Sequence, residues 1–287
     1  MVHKQNATLQ QLLSLLDDER NELFIHLDKK AGEIQQEFFA TTNSRLHFIP
    51  RIKVEWGAYS QIKAELSLLK AAAACGKYDY YHLLSGEDLP LKSQDDLHQF
   101  FERHQGTEFM SFTDEFSYGY RVNYYYPLQS RLRRGEFGRQ ANSAFYRLQK
   151  LLKIKRNQKI NFKSGSNWFS ITDACARFVL AHERWIKRTF HHSFCADELF
   201  LQTLISSSDF LDKCYHSDFK NVLTAPYFTK NEENCLRFVD WNLGDPYVFR
   251  AQDFARLTAS PLLFARKFDF EIDNEIIEKL AVKNEKI

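Results

Sequence analysis

An acidic pair that follows a predicted strand is a candidate for catalysis or binding. The phrase YDYYHLLSGEDLPLKS has the pattern of a strand, a polar turn and a proline that ends it, and Glu87 and Asp88 lie on the turn. In an open α/β sheet, ligands bind at the carboxyl ends of the strands. The alternative is a solvated turn in which Asp88 caps its own backbone. No acid stands two residues from Asp88, so the Asp-x-Asp pattern of a metal site is absent.

A second acidic pair, Asp197 and Glu198 in the phrase CADE, precedes the apolar helical stretch LFLQTLI. The dipole at the first turn of a helix favours ionised carboxylates. The pair therefore fits a capping aspartate with a glutamate that complements the dipole, or it fits a functional carboxylate. The residues alone leave both interpretations open.

Cations near the carboxyl terminus could bind an anion. The phrase LFARKFD places Arg266 and Lys267 between apolar residues. Cations of this kind suit a diphosphate, whose negative charge grows as it leaves. Surface salt bridges at a strand edge are the alternative. Trp241, in the phrase RFVDW, fits either a core indole or a platform for a sugar ring.

Other kinds of chemistry find little support in the sequence. His191 and His192 have no partner at metal-ligand spacing, and no metal is expected. A nucleophilic triad, a Walker loop and a GxGxxG motif are absent. The kinds of chemistry that remain are catalysis or binding by carboxylates and binding of an anion by the cations near the carboxyl terminus.

Alternating strand and helix patterns must position these residues. A helix is predicted over 8–16, then a buried strand LFIHLD ending at Asp28, then helices over 31–39, 57–76 and 94–104 with strand candidates between them. Further helices are predicted over 173–187 and up to residue 206. This order predicts an α/β fold with a mostly parallel sheet flanked by helices. No repeat or linker is found, so residues 1–287 are expected to form one domain.

A basic, tyrosine-rich insertion spans about 114–163. The tyrosine cluster YGYRVNYYYP is followed by eleven cations: Arg131, Arg133, Arg134, Arg139, Arg147, Lys150, Lys153, Lys155, Arg156, Lys159 and Lys163. One interpretation is a segment that lies beside the site of an acceptor, meaning the molecule that a reaction at this site would modify. The segment would then hold an anionic or lipid-carried acceptor at a membrane. The other is a solvated helix face with its tyrosines in the core. Replacing Arg131, Arg133 and Arg134 by glutamine would distinguish the two through liposome binding and acceptor KM.

Composition restricts the remaining classes. The 287 residues are 44% hydrophobic with a net charge of +2, which does not call for nucleic acid as a partner. Five widely spaced cysteines without a CxxC pair predict a reducing compartment. No apolar run approaches the roughly 18 residues of a membrane span, and MVHKQNATLQ lacks the apolar centre of a signal peptide. We expect a cytoplasmic protein, with peripheral membrane attachment left open.

Taken in order, several phrases resemble one family. IHLDKK, VEWGAYSQIKAELSLLKAA, YDYYHLLSGEDLPLKSQDDLHQFF, GSNWFSIT, CADELFLQTL, LRFVDW and RAQDFARLTASPLLFARKFD are similar to the core 2/I-branching β-1,6-N-acetylglucosaminyltransferases and peptide O-xylosyltransferases, glycosyltransferase family fourteen. The last phrase is most similar to the xylosyltransferase branch. The similarity covers nearly the whole chain.

The resemblance implies a GT-A, Rossmann-like nucleotide-sugar-binding fold, a UDP-sugar donor, and inversion without metal. It implies that Glu198 is the base, that Lys267 and Arg266 bind the diphosphate, and that Trp241 stacks on acceptor sugar. We further expect Asp28, Glu87, Asp88 and Asn167 to line the nucleotide and sugar pocket. Arg250 is the candidate for a further diphosphate arginine.

The chain also departs from the family pattern. Asn167 replaces an aspartate of the xylosyltransferases, and Leu243 replaces a second acceptor-binding aromatic of the branching enzymes. The first strand of the family precedes the His-x-x-Gln-like residues; this chain starts at Met1-Val2-His3, and we expect that strand to be shortened. We expect the chain to lack the membrane anchor and the disulfides of eukaryotic members, as fits a bacterial enzyme.

We therefore expect a bacterial inverting transferase that moves GlcNAc or xylose to a hydroxyl of an oligosaccharide or lipid-linked glycan, in surface polysaccharide or lipooligosaccharide assembly. The alternative is a non-catalytic carbohydrate-binding protein that kept the fold. A nucleic-acid-binding role for the basic insertion is disfavoured because acids flank it.

Overall fold

The computed structural model describes residues 1–113, 118–128, 135–216 and 233–285. The first helix, α1 (Ala7–Leu15), begins where Asn6 accepts a hydrogen bond from the Leu9 amide at 3.1 Å. It buries Leu9, Leu12 and Leu13 of the leucines whose spacing predicts the helix, whereas Leu16 lies just beyond its end. Strand β1 (Glu22–Ile25) follows and pairs in parallel with β2 (Arg45–Phe48). The predicted helix over 31–39 is wrong: only short 3-10 turns occur at 29–31 and 36–38, with Gly32 at φ +78° between them.

Two long helices match their predictions. Helix α2 (Ser60–Cys75) buries one apolar face, and α3 (Gln94–Arg103) begins at Ser93, whose side chain accepts from the Asp96 amide. Of the others, α4 (Gly119–Val122) and α5 (Gly135–Leu151) lie in the basic insertion. The helix predicted over 173–187 is divided at His182 into α6 (Asp173–Ala181) and α7 (Glu183–Phe190). Then come α8 (Phe200–Ile205), α9 (Phe254–Ala259) and α10 (Asn274–Glu285).

The strands of the described residues form three small sheets. The first is the β1-β2 pair. The second consists of β3 (Tyr80–His82), β5 (Phe109–Met110) and β6 (Phe169–Thr172), which form an antiparallel sheet in the order β3-β6-β5. The third has the order β4-β8-β7, from β4 (Asp88–Pro90), β7 (Arg237–Val239) and β8 (Phe264–Arg266). The fold is mixed α/β as predicted. Within the described ranges the parallel pairings are β1-β2 and β7-β8, whereas one mostly parallel sheet was expected.

A buried arginine joins two of the sheets. Arg237 on β7 is 1% exposed and donates from Nη2 to the carbonyls of Leu83 and Phe169, at 3.2 and 3.0 Å. Its guanidinium also lies 4.5 Å from the centre of the Phe264 ring. Because a buried cation is costly without such acceptors, these bonds fix β7 against the β3-β6 sheet.

The amino-terminal residues pack between β1 and the turn that carries Glu87. Val2 forms a parallel bridge with Leu27, and the Met1 amino group donates to the Leu84 carbonyl at 2.6 Å. A cavity of about 650 Å³ lies between β1 and residues 78–85. Because Val2 is held beside Leu27, the His3 side chain reaches Glu87, with Nε2 3.6 Å from Oε1. No helix within the described residues is long and apolar enough to cross a membrane.

Candidate active site

The pairing of β4 with β8 brings two sequence-predicted pairs together. Asp88 is the antiparallel partner of Arg266, and the Arg266 Nε lies 3.6 Å from Asp88 Oδ1. One residue beyond, Lys267 Nζ lies 3.0 Å from Glu87 Oε2. The Phe268 amide donates to the Glu87 carbonyl at 2.9 Å, which holds the two segments in register. Acids and cations about 180 residues apart thus share one strand edge.

The carboxylates of Asp88 and Glu87 differ in the partners that they contact. Asp88 is buried and accepts from the Ser85 amide at 2.7 Å and from the Ser85 hydroxyl at 2.8 Å. It caps the turn as one interpretation held, but the turn is not solvated. Glu87 is also buried, and its Oε1 lies 3.6 Å from both the His3 and Lys4 nitrogens. Glu87 therefore gathers cations, whereas Asp88 shapes the turn.

Arg266 is held from its other face by an aromatic ring. Its guanidinium carbon lies 4.2 Å from the centre of the Trp168 ring, a cation–π geometry that sequence reasoning missed. Trp168 directly follows Asn167, which is half-buried. The loop that carries both therefore packs against the cation pair.

The same loop touches the predicted base. The Gly165 amide donates to the Glu198 carbonyl at 3.0 Å. A Cβ on Gly165 would lie 1.9 Å from the Ser111 carbonyl oxygen, so only glycine permits this close approach. Backbone contact through the 165–168 loop thus connects Glu198 with Arg266.

The Glu198 carboxylate is partly exposed to solvent. Among its described contacts, the cation is Arg121. It ends a 3-10 turn, Ala196–Glu198, and its side chain is 48% exposed. Arg121 Nη1 donates to Glu198 Oε2 at 2.6 Å, and the Arg121 side chain is itself mostly buried. This bond occupies one carboxylate oxygen. Arg121 belongs to the tyrosine cluster, and no spacing rule linked it to Glu198.

Arg121 is fixed on several sides. Its guanidinium carbon lies 4.1 Å from the centre of the Tyr118 ring, and its backbone carbonyl accepts from the Phe194 amide at 2.9 Å. Burial acts to lower the pKa of Arg121, but the hydrogen bonds to the Tyr120 hydroxyl and the Glu198 carboxylate raise it above its ordinary value. A permanently charged, positioned donor therefore orients the carboxylate.

Asp197 points the opposite way from its neighbour. It is buried and accepts from Gln61 Nε2 at 2.7 Å, so it does not cap α8 as one interpretation held. Burial, followed by the charge of Glu198, raises the pKa of Asp197 from 3.8 to about 7. Glu65, fully buried on α2, contributes to the same acidic interior, and its pKa is also raised by burial.

We expect Asp197→Asn to be more stable than the parent protein above pH 7. There the folded parent must hold an ionised, buried carboxylate, at a cost on the order of 4 kcal/mol from a shift of this size. Because the folded-state pKa is raised, the parent regains this stability as the pH falls from 7 towards 4. Urea unfolding at pH 8 and pH 5 measures the difference, and exposed Asp209→Asn is the matched control. Equal pH dependence in parent and variant would contradict the assignment.

Asp28 lies three residues beyond the carboxyl end of β1 and is buried. Its Oδ1 accepts from the Lys30 amide at 2.9 Å, and its Oδ2 lies 3.5 Å from Lys30 Nζ. Burial lowers the pKa of His3, while the charges of Glu87 and Asp28 oppose that shift. The two predicted pocket acids therefore act on one imidazole.

The remaining predicted residues lie beside the cations. β7 pairs in parallel with β8, with Val239 opposite Arg266, so Trp241 follows two residues beyond this pair and is 43% exposed. Its neighbour Asp240 is buried and accepts from Arg256 Nη1 at 2.7 Å. Trp241 is therefore not a core indole. The exposed Arg250 follows Phe249, whose amide donates to the Lys267 carbonyl at 2.9 Å.

The described part of the insertion divides between core and surface. Tyr124 and Tyr126 are buried, whereas Tyr120 and Tyr125 are exposed. Arg131, Arg133 and Arg134 lie outside the described residues. Within the described ranges there is no group of three His, Cys, Asp or Glu side chains arranged to hold a metal ion.

Comparison with known proteins identifies the class. The family model described as Core-2/I-Branching enzyme matches residues 1–259, and the chain belongs to this family of glycosyltransferases. It is 24% identical over 276 residues to xylosyltransferase sqv-6 of Caenorhabditis briggsae, covering 89% of this chain and 32% of that protein. To rat xylosyltransferase 2 it is 24% identical over 285 residues, covering 95% of this chain and 31% of the relative. The chain thus spans about a third of the length of these relatives.

Proposed function

We propose that the protein is an inverting glycosyltransferase that transfers a sugar from a UDP-sugar to a hydroxyl of a glycan. The observation that carries the proposal is Glu198, an exposed carboxylate oriented by Arg121 and connected through the 165–168 loop to a pair of cations. A base on one side of the sugar and cations at the leaving group are what a direct displacement requires.

The proposed reaction is a single displacement at C1 of the donor sugar. Glu198 takes the proton of the acceptor hydroxyl as its oxygen forms the bond to C1. The bond from C1 to the diphosphate oxygen breaks, and UDP leaves with the electron pair. Lys267 and Arg266 stabilise the charge that develops on the diphosphate, with Arg250 as a further cation.

The residues around this centre receive supporting roles. Glu87 holds Lys267 in position through their 3.0 Å contact, and Asp88 fixes the turn beneath it. Asp28 and Asn167 line the nucleotide and sugar pocket, and Trp241 offers a face to an acceptor sugar. The fold proposed for this reaction is of the GT-A type.

The donor is proposed to be UDP-GlcNAc or UDP-xylose, the acceptor an oligosaccharide or lipid-linked glycan of a bacterial surface polysaccharide, and the place of action the cytoplasmic side of the membrane. The names of the relatives favour xylose. The departure at Asn167 falls in the phrase shared with the xylosyltransferases, so the acceptor of those enzymes is not carried over to this chain. The experiment below tests both UDP-GlcNAc and UDP-xylose as donors.

A thermal-shift screen with UDP, UDP-GlcNAc, UDP-xylose and UDP-glucose, followed by a UDP-release assay, tests the proposal. A ligand at 100 times its dissociation constant adds about 2.7 kcal/mol of stability, enough to rank the donors. UDP release that depends on an added glycan supports transfer. Stabilisation by a glycan without UDP release from any donor would favour the non-catalytic carbohydrate-binding alternative.

We expect transfer to be independent of divalent metal, because Lys267 and Arg266 supply the positive charge that an ion would bring to the diphosphate. Saturating EDTA should leave the initial rate within about twofold of the untreated enzyme, whereas loss of an essential ion removes several kcal/mol of transition-state stabilisation. Restoration of a lost rate by Mn²⁺ or Mg²⁺ would show that Asp28 or Asp88 binds metal.

A further inference from the structure

Helix α5 shows an inverted distribution of polar and apolar side chains. It buries two amides, Asn142 at 6% and Gln149 at 2% exposure. Gln149 Nε2 donates to the Tyr125 carbonyl at 3.0 Å, and its Oε1 accepts from the Tyr125 amide at 2.8 Å. These bonds attach the polar side of the helix to the protein. The apolar side therefore faces outwards.

The outward side carries a series of exposed apolar side chains. Phe145 and Leu148 are 39% and 48% exposed, and beyond them Leu151 and Leu152 reach 78% and 58%. Ile154, in the turn after the helix, is 43% exposed. Scattered exposed apolar residues are ordinary, but five in one ten-residue stretch form a patch that needs a partner. We call these five residues the α5 strip.

Cations surround the α5 strip, and acids are absent from this part of the sequence. Residues 137–172 contain eight Lys and Arg and no Asp or Glu. Among them Arg147, Lys150, Lys153 and Lys155 are exposed and alternate with the apolar residues of the strip. A surface of this kind attracts a partner that is both anionic and apolar.

We propose that the α5 strip and its cations dock on an anionic lipid surface. The aliphatic side chains enter the headgroup and acyl boundary, and the cations contact lipid phosphates, as in interfacial helices. Nucleic acid is a poorer partner, because Leu151, Leu152 and Ile154 offer neither stacking faces nor hydrogen bonds to bases. The proposal rests on residues outside the candidate active site and does not depend on the proposed transfer reaction.

Vesicle co-sedimentation tests the proposal. The full chain is mixed with phosphatidylcholine vesicles or with mixed phosphatidylcholine and phosphatidylglycerol vesicles. We expect binding to the mixed vesicles that weakens as salt is raised, because screening acts on the contact between the cations and the lipid phosphates. Replacing Lys150, Lys153 and Lys155 by glutamine should lower the binding constant roughly 100-fold. Replacing Leu151 and Leu152 by glutamine should lower it at least about 10-fold.

A matched control uses exposed apolar residues elsewhere. Ile272 and Val282, which are 44% and 48% exposed, are replaced by glutamine and should leave vesicle binding unchanged. All variants alter exposed side chains, and circular dichroism melts confirm that each is folded. Absence of binding to mixed vesicles, equal loss in the control, or salt-sensitive binding to a single-stranded oligonucleotide without vesicle binding would each overturn the proposal.

Discussion

Glu198→Gln is expected to lower turnover by roughly 100-fold or more while leaving folding and UDP affinity unchanged, since a general base contributes about 10²–10⁴ to the rate. Glutamine matches glutamate in shape, and its carbonyl oxygen can still accept from Arg121. What it cannot do is take the proton of the acceptor hydroxyl. Single-turnover UDP release under saturating donor and acceptor measures the chemical step.

The control is Glu19→Gln, which makes the same change on an exposed turn before β1, at the end of that strand opposite Asp28. It should retain full activity. Retention of most activity by Glu198→Gln would remove Glu198 from the reaction. A lower melting temperature or weaker UDP binding in that variant would instead assign the 2.6 Å contact between Glu198 and Arg121 a structural role.

Much of the local structure could be predicted from periodicity and end signals. Helices α1, α2 and α3 lie close to their predicted ranges of 8–16, 57–76 and 94–104, and Gly76 marks the end of α2. The helix over 31–39 failed because Gly32 takes a left-handed conformation that interrupts it. Single-residue backbone geometry of this kind leaves little trace in apolar spacing.

Sequence patterns nominate individual candidate site residues, but they do not predict which residues contact them. Spacing and resemblance selected Glu198, Lys267 and Glu87, because each stands next to a recognisable phrase. The contact of Arg266 with Trp168 and that of Glu198 with Arg121 join residues about 100 and 77 positions apart. Such pairs depend on tertiary packing, and no rule of sequence spacing reaches that far.

The burial of the acids was the least predictable feature. Asp88 and Asp197 both occur in polar turns of the sequence, and a solvated or capping role was a reasonable interpretation of each. In the structure both are buried and accept from side chains, Ser85 for Asp88 and Gln61 for Asp197. Burial depends on what packs over a turn, which the turn's own residues do not encode.

Lys267→Ala is expected to weaken UDP binding roughly 10- to 100-fold, because a hydrogen bond to a charged group contributes about 1.5–3 kcal/mol. The structure also offers a purely structural role, since Lys267 Nζ lies 3.0 Å from the buried Glu87. If the role of Lys267 is only structural, Lys267→Ala lowers the melting temperature and leaves UDP affinity unchanged. Isothermal titration with UDP and a thermal melt on the same samples separate the two roles.

Three further variants make the comparison decisive. Lys4→Ala removes an equal charge from the other oxygen of Glu87, where its Nζ lies 3.6 Å away, and should leave UDP affinity close to the parent value. Glu87→Gln keeps the Lys267 cation and removes its carboxylate partner. In the double variant Lys267→Ala/Glu87→Gln, any melting temperature lost in Lys267→Ala should be regained, because the buried carboxylate that loses its 3.0 Å partner is neutralised. UDP binding should stay weak, because the cation that faces the diphosphate is still missing; recovery of UDP affinity there would reject Lys267 as a diphosphate ligand.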